Sequence, residues 1–141
     1  MIDAKELDES ETQNLDQYLR ASRNIMNATQ NLKKVRGDLE EFEFSSTTFL
    51  NEQLPVYKRR LEELFSDLDA IVTKSEKDPD AFEHTLDHVN TNDVTCISES
   101  SQAIKNHRLK DLEATSLVMA NRMFTQSCRM FVFGIKGLLT E

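Results

Sequence analysis

Leu50-x3-Leu54-x2-Tyr57-x3-Leu61-x2-Leu64-x3-Leu68-x2-Ile71 is the stretch on which the fold turns. Its apolar residues fall at alternating steps of four and three without a miss. An α-helix turns once every 3.6 residues, so these seven side chains share one stripe along a rod. A strand would need apolar residues at every second position, and no such run occurs in the chain. Three further segments carry the same spacing. The sequence therefore predicts an all-α fold, an elongated up-down-up-down four-helix bundle forming one domain over residues 1–141.

On the N-terminal side of that stretch, a first helix is predicted over about 10–43. Ser10 is its expected cap, and Glu11 places a negative charge in the first turn, where the helix dipole favours it. Its expected buried stripe is Leu15, Tyr18, Leu19, Ile25, Met26, Leu32, Val35, Leu39 and Phe42. Gly37 costs ~1 kcal/mol relative to alanine inside a helix, so it is expected to serve a close helix crossing. Ser45, Ser46, Thr47 and Thr48 read as a turn. The second helix is predicted over 47–74. Pro55 cannot donate to the carbonyl of Asn51, and because the apolar register passes it unbroken a kink is expected there.

On the C-terminal side, Asp78-Pro79-Asp80 is a start signal: a cap, a proline at the first helical position, then an acid. It opens a third helix, 79–105, with Phe82, Leu86, Val89, Ile97 and Ile104 facing inward. Asn90-Thr91-Asn92-Asp93 sets four poor helix formers in a row with a polar residue on the stripe, and marks where this helix would break. Asn106-His107 is expected to form the last turn, asparagine tolerating the left-handed conformation that ends helices. The fourth helix, 110–139, is the most apolar, with Leu112, Met119, Met123, Met130, Phe131, Phe133, Ile135 and Leu138. Helices of about 30 residues are ~45 Å long.

Charge narrows the partners. With 25 acidic and 17 basic residues the chain carries a net charge of -8. That field repels nucleic acid and anionic lipid surfaces, so nucleic acid is not an expected partner. Two basic clusters, Lys33-Lys34-x-Arg36 and Lys58-Arg59-Arg60, sit among acids at helical spacing and are expected on a salt-bridged solvent face. Cys96 and Cys128 have no metal-ligand spacing and are expected as reduced, buried small residues of a cytosolic protein. No charged-then-apolar leader opens the sequence. The longest apolar run, Met130 to Ile135, falls far short of the ~20 residues that span a bilayer.

Few residues suggest chemistry. Gly37, Gly134 and Gly137 each stand alone inside predicted helices, so no glycine-rich loop can cradle a phosphate. His84 and His88 are four apart, on one helix face with Asp80, which is transition-metal ligand spacing. They are the candidate metal residues. The pattern nevertheless places His84 on the wet side, and with no fixed carboxylate partner expected for the pair, a solvated face is the reading preferred. No Glu stands three before any histidine, which argues against a di-iron carboxylate bundle. His107, in Asn-His-Arg-Leu-Lys-Asp, is distantly similar to the His-x-Leu-Lys-Gly stretch of histidine phosphotransfer bundles, although Asp111 stands where those have a small residue. No nucleophile sits in an elbow motif. No catalytic residue and no cofactor are expected, and the chain is read as a non-enzyme.

Two stretches carry a family resemblance. Tyr18-Leu-Arg-Ala-Ser-Arg-Asn-Ile-Met-Asn-Ala-Thr-Gln-Asn-Leu-Lys-Lys-Val-Arg-Gly-Asp-Leu-Glu-Glu-Phe42 is one. Leu112-Glu-Ala-Thr-Ser-Leu-Val-Met-Ala-Asn-Arg-Met-Phe124, continuing to Ile135-Lys-Gly-Leu-Leu139, is the other. Together they resemble the PhoU-like cytoplasmic tail of bacterial sodium/phosphate cotransporters. That resemblance implies a regulatory helical bundle on the cytoplasmic side of the inner membrane. Its implied partner is the membrane transport domain of the same polypeptide, with a homodimer as a further partner. PhoU metal-cluster motifs are Glu/Asp-x-x-x-Asp, whereas Phe42 stands four residues after Asp38, so no metal cluster is carried over. The alternatives are a free-standing soluble adaptor bundle, a metal-binding bundle, or a phosphotransfer bundle.

Overall fold

The computed structural model describes residues 9–74, 78 and 80–139. Five helices fill it: α1 (Glu9–Glu43), α2 (Thr48–Asn51), α3 (Gln53–Thr73), α4 (Ala81–Lys105) and α5 (Asp111–Leu139). There is no strand among the described residues. α2 is a single turn stacked on α3, so the architecture is a four-helix bundle. Cross-helix bonds fix its topology. Gln17 on α1 donates to the Gly137 carbonyl at the end of α5, while Thr47 just past α1 donates to Glu113 at the start of α5. His88 meets Asp67, and Tyr57 meets Cys96, so α4 runs back along α3. Asn90 pairs with Arg129, and Asp93 with Asn121, so α5 runs back along α4. The order is up-down-up-down, with α5 touching each of the other three long helices.

The predicted side is buried, with Leu50 of α2 and Leu54, Tyr57, Leu64 and Leu68 of α3 in the core. Pro55 does not kink a continuous helix. The helix breaks at Glu52 instead, and Pro55 becomes the third residue of α3, where its missing N–H falls among first-turn amides that have no intrahelical acceptor. The break has a second use. Asn51 Nδ2 reaches the carbonyls of Phe42, Glu43 and Ser45 at 2.9, 3.1 and 2.9 Å, closing off the end of α1.

α1 departs most from expectation. Its buried residues are Ala21, Ala28, Val35 and Leu39, with Ile25 and Leu32 half-buried beside them. Leu15, Tyr18, Leu19 and Met26, expected inside, are exposed. The contact is made by small residues because α1 lies very close to α5. A Cβ on Gly134 would stand 2.5 Å from Ile25 Cγ1 and 3.0 Å from the Ala21 carbonyl oxygen. One on Gly137 would stand 2.9 Å from Ala21 Cβ. Leucines at these positions would hold the rods apart; alanine and glycine let the backbones meet. Gly37, expected at the crossing, has open space around it. Ser10 lies inside α1, and what precedes Glu9 is outside the described residues.

α4 is continuous through Asn90–Asp93. Its inward face is Thr85, Val89, Cys96, Ser100 and Ala103, while Ile97 and Ile104 are exposed. Asp93 falls on that inward face and accepts bonds from α5, which is why a polar residue there does not break the helix. On α5 Leu112, Met119 and Phe133 are exposed; Ala114, Leu117, Ala120, Phe124, Cys128 and Val132 are buried. At the start of α4, Asp78 Oδ1 accepts from the Asp80 amide at 2.9 Å. Pro79 lies outside the described residues.

The turn between α4 and α5 ends in a Schellman motif. Arg108 N–H donates to the Ala103 carbonyl at 2.8 Å and His107 N–H to that of Ile104 at 3.1 Å. The left-handed residue is His107, with φ 57°, rather than Asn106. Leu109, buried next to it, seals the turn.

Candidate functional site

Arg60, read from sequence as part of a solvated basic cluster, is 7% exposed and sits at the centre of the bundle. α3 turns it inward one residue from Leu61, on the side where Tyr57 and Leu64 also point. Its guanidinium carbon lies 4.9 Å from the Tyr57 ring centre and 4.7 Å from that of Phe124, against two aromatic rings that favour a cation. Nη1 donates to Asn121 Oδ1 at 2.8 Å and Nη2 reaches Thr125 Oγ1 at 3.4 Å. The Tyr57 hydroxyl donates to the same Asn121 oxygen at 3.0 Å. Asn121 Nδ2 and Thr125 Oγ1 then both donate to Asp93 Oδ1, at 2.7 and 2.8 Å. The compensating carboxylate thus acts on Arg60 through an amide and a hydroxyl rather than by direct ion pairing. Arg60 Nε is buried with no acceptor.

This network joins α3, α4 and α5. Burial pushes the Tyr57 phenol well above its ordinary range, and Cys96 beside it, 3.1 Å from the phenol oxygen, is also raised by burial. Burial drives Cys128 up to about 12. Phenol and thiols are therefore neutral at physiological pH, protonated and shielded, which disfavours their use as nucleophiles or bases. Cys96 and Cys128 are free and buried.

Beside Tyr57 and Phe124 a groove opens between α1 and α3, with a volume of about 270 Å³. Val35, Leu39, Leu54, Tyr57, Phe124 and Phe131 line its depth, and Phe65 packs edge-on against Phe131 with ring centres 5.3 Å apart. The charged residues on its lips are Lys33, Arg36 and Lys58, all cationic. Arg36 has a loose pair with Glu40 at 3.7 Å. Lys33 and Lys58 have no ion pair among the described residues.

The histidine candidates separate. His84 is exposed. His88, expected without a fixed carboxylate partner, has two, with Nδ1 3.0 Å from Asp67 Oδ2 and Nε2 3.3 Å from Glu63 Oε2, both across the α3–α4 interface. No cluster of three or more His, Cys, Asp or Glu suited to a metal occurs among the described residues. His107 is occupied in ending α4. The fourth-helix phenylalanines divide too: Phe131 packs inward, and Phe133 points out on the flank of α1 opposite the groove.

Arg60 was the residue least visible to sequence reasoning. The available signal was its position at the edge of the Tyr57–Leu64 stripe, against which its membership of a basic triplet spoke more loudly. In comparisons with protein-family models, curated proteins and solved structures, nothing matches this chain.

Proposed function

We propose that the chain is a non-catalytic interaction module that docks through the outward side of α1. One observation carries this reading. Leu15, Leu19 and Met26 are 55, 52 and 63% exposed and lie on one side of α1, roughly 140° around from the Ala21–Ala28 contact with α5. Apolar residues at this spacing on an unpartnered helix are what a helix-in-groove or helix-pair interface presents. Gln17 meets the last turns of α5, and residues 9–16 before it are all exposed. No helix among the described residues is long and apolar enough to cross a membrane.

The resemblance to PhoU-like tails supplies the occupant: the membrane transport domain of the same polypeptide, with the module regulating sodium-coupled phosphate uptake from the cytoplasmic side. The test has two parts. Several membrane-spanning segments in frame upstream of Met1 are expected in the coding sequence, and a stop codon with its own ribosome-binding site there refutes the tail assignment. In the joined protein, Leu15→Glu with Leu19→Glu is expected to change phosphate uptake while leaving the helical circular dichroism of the module unaltered. Unchanged uptake refutes the docking side. A second copy of this chain on the same stripe is the other reading the exposed leucines favour; it predicts a dimer by light scattering that the same double substitution dissolves.

A further inference from the structure

We propose that the groove between α1 and α3 binds a free single-chain fatty carboxylate of about eight to ten carbons. The occupant follows from shape and charge together. The groove holds about 270 Å³. A slot of that volume, open to solvent along one side, suits a single medium-length acyl chain. Its depth is Val35, Tyr57, Phe124 and Phe131, with no charged side chain at the bottom. Its length, from Leu54 to Phe65 along α3, is about 16 Å.

The mouth selects the head group. In a chain with eight more acids than bases, the charged residues on the lips are all cations, contributed from opposite walls: Lys33 and Arg36 by α1, Lys58 by α3. Lys58 stands four residues before Glu62, a spacing at which helices commonly form ion pairs, yet no such pair occurs here. Lys33 has Gly37 and Thr29 at the same spacing. Two unpaired ammonium groups facing across an apolar slot provide electrostatic attraction for a carboxylate head and repel a cationic one. Behind the floor, Arg60 lies against the same Tyr57 and Phe124 rings and adds positive potential from within the bundle.

The experiment uses the full chain and three ten-carbon probes below their micelle concentrations: decanoate, decanol and decyltrimethylammonium. Methyl and aromatic NMR spectra are recorded during each titration. Saturable shifts at Leu32, Leu61 and Phe131 are expected with decanoate, at least ten-fold tighter than with decyltrimethylammonium. Decanoate is expected to bind about four- to fifteen-fold tighter than octanoate, since each buried methylene is worth up to about four-fold, and chains beyond about ten carbons gain little more. Lys33→Glu with Lys58→Glu weakens decanoate by ten-fold or more without shifting the decanol affinity, which separates loss of the anion site from loss of fold. Equal affinity for anionic and cationic head groups overturns the proposal, as do shifts confined to the Leu15–Met26 stripe. Co-sedimentation with anionic phospholipid vesicles in place of saturation by monomeric decanoate also overturns it. So does self-association that closes the groove before the probe enters.

Discussion

Asn121 is the residue on which the bundle's interior most depends, and replacing it gives the sharpest test of the packing. Its oxygen accepts from Arg60 at 2.8 Å and from Tyr57 at 3.0 Å, and its nitrogen donates to Asp93 at 2.7 Å. Two of these three bonds are to charged groups, worth roughly 1.5–3 kcal/mol each, and the third to a neutral hydroxyl, worth about 1. Asn121→Leu keeps the branched shape but removes all three, leaving a buried guanidinium whose Nε already has no acceptor. Allowing for relaxation, the expected loss is about 3–5 kcal/mol. For a domain of this length that lowers Tm by roughly 10–17 °C. Arg60→Met removes the cation instead, and costs less, about 1–2 kcal/mol, because a buried charge and its desolvation leave together. The double variant should therefore be more stable than the sum of the two losses implies, by at least 1.5 kcal/mol. Urea unfolding followed by circular dichroism at 222 nm measures all four corners of the cycle. Losses that add within about 0.5 kcal/mol would show that Arg60 and Asn121 are energetically independent, and the account of a relay from Arg60 to Asp93 would be wrong.

The glycines give a contrasting pair. Gly134→Ala drives a Cβ to within 2.5 Å of Ile25 and should destabilise by about 1–3 kcal/mol, whereas Gly37→Ala meets open space and should stabilise by about 1; urea midpoints decide both. His107→Gly relieves a left-handed residue and should raise stability by roughly 1 kcal/mol in thermal melts, a result that equal or lower Tm contradicts. Glu113 accepts from the Thr47 hydroxyl and the Lys110 amide, which holds its carboxyl below the ordinary glutamate range. A carboxyl lowered on folding contributes stability above the unfolded glutamate value and loses it as pH falls through the folded one. NMR titration should find Glu113 among the last glutamates to protonate on acidification, and Thr47→Val should move it back up.

The sequence displayed α3 plainly because its core residues are large. It hid the register of α1 because Ala21 and Ala28 carry almost no hydropathy signal, while Leu15, Leu19 and Met26 on another side carry a strong one. The step pattern Ala21-Ile25-Ala28-Leu32-Val35-Leu39-Phe42 repeats four and three without fault, so period alone, weighted less by side-chain size, reads it correctly. On α4 the same bias pulled the stripe onto Ile97 and Ile104. Following spacing through Val89, Asp93, Cys96, Ser100 and Ala103 gives the observed face, at the apparent expense of a carboxylate pointing inward. Nothing in one helix reveals that Asn121 and Thr125 wait opposite it on another. The groove is equally invisible, since it depends on how far α1 stands from α3, and its cations read in sequence as ordinary surface charge.

The placement of Tyr57 also gives the molecule an internal optical reporter. The chain has no tryptophan and two tyrosines. Tyr18 is half in water already, so its ring experiences little change when the chain opens. Tyr57 goes from a dry cage, edge-on to Phe124 at 4.9 Å, to bulk solvent. The ultraviolet difference spectrum on denaturation therefore arises mainly from one phenol at the junction of three rods, and a separate far-ultraviolet signal follows the backbone. Divergence between the two would reveal loosening of the centre before the helices themselves melt.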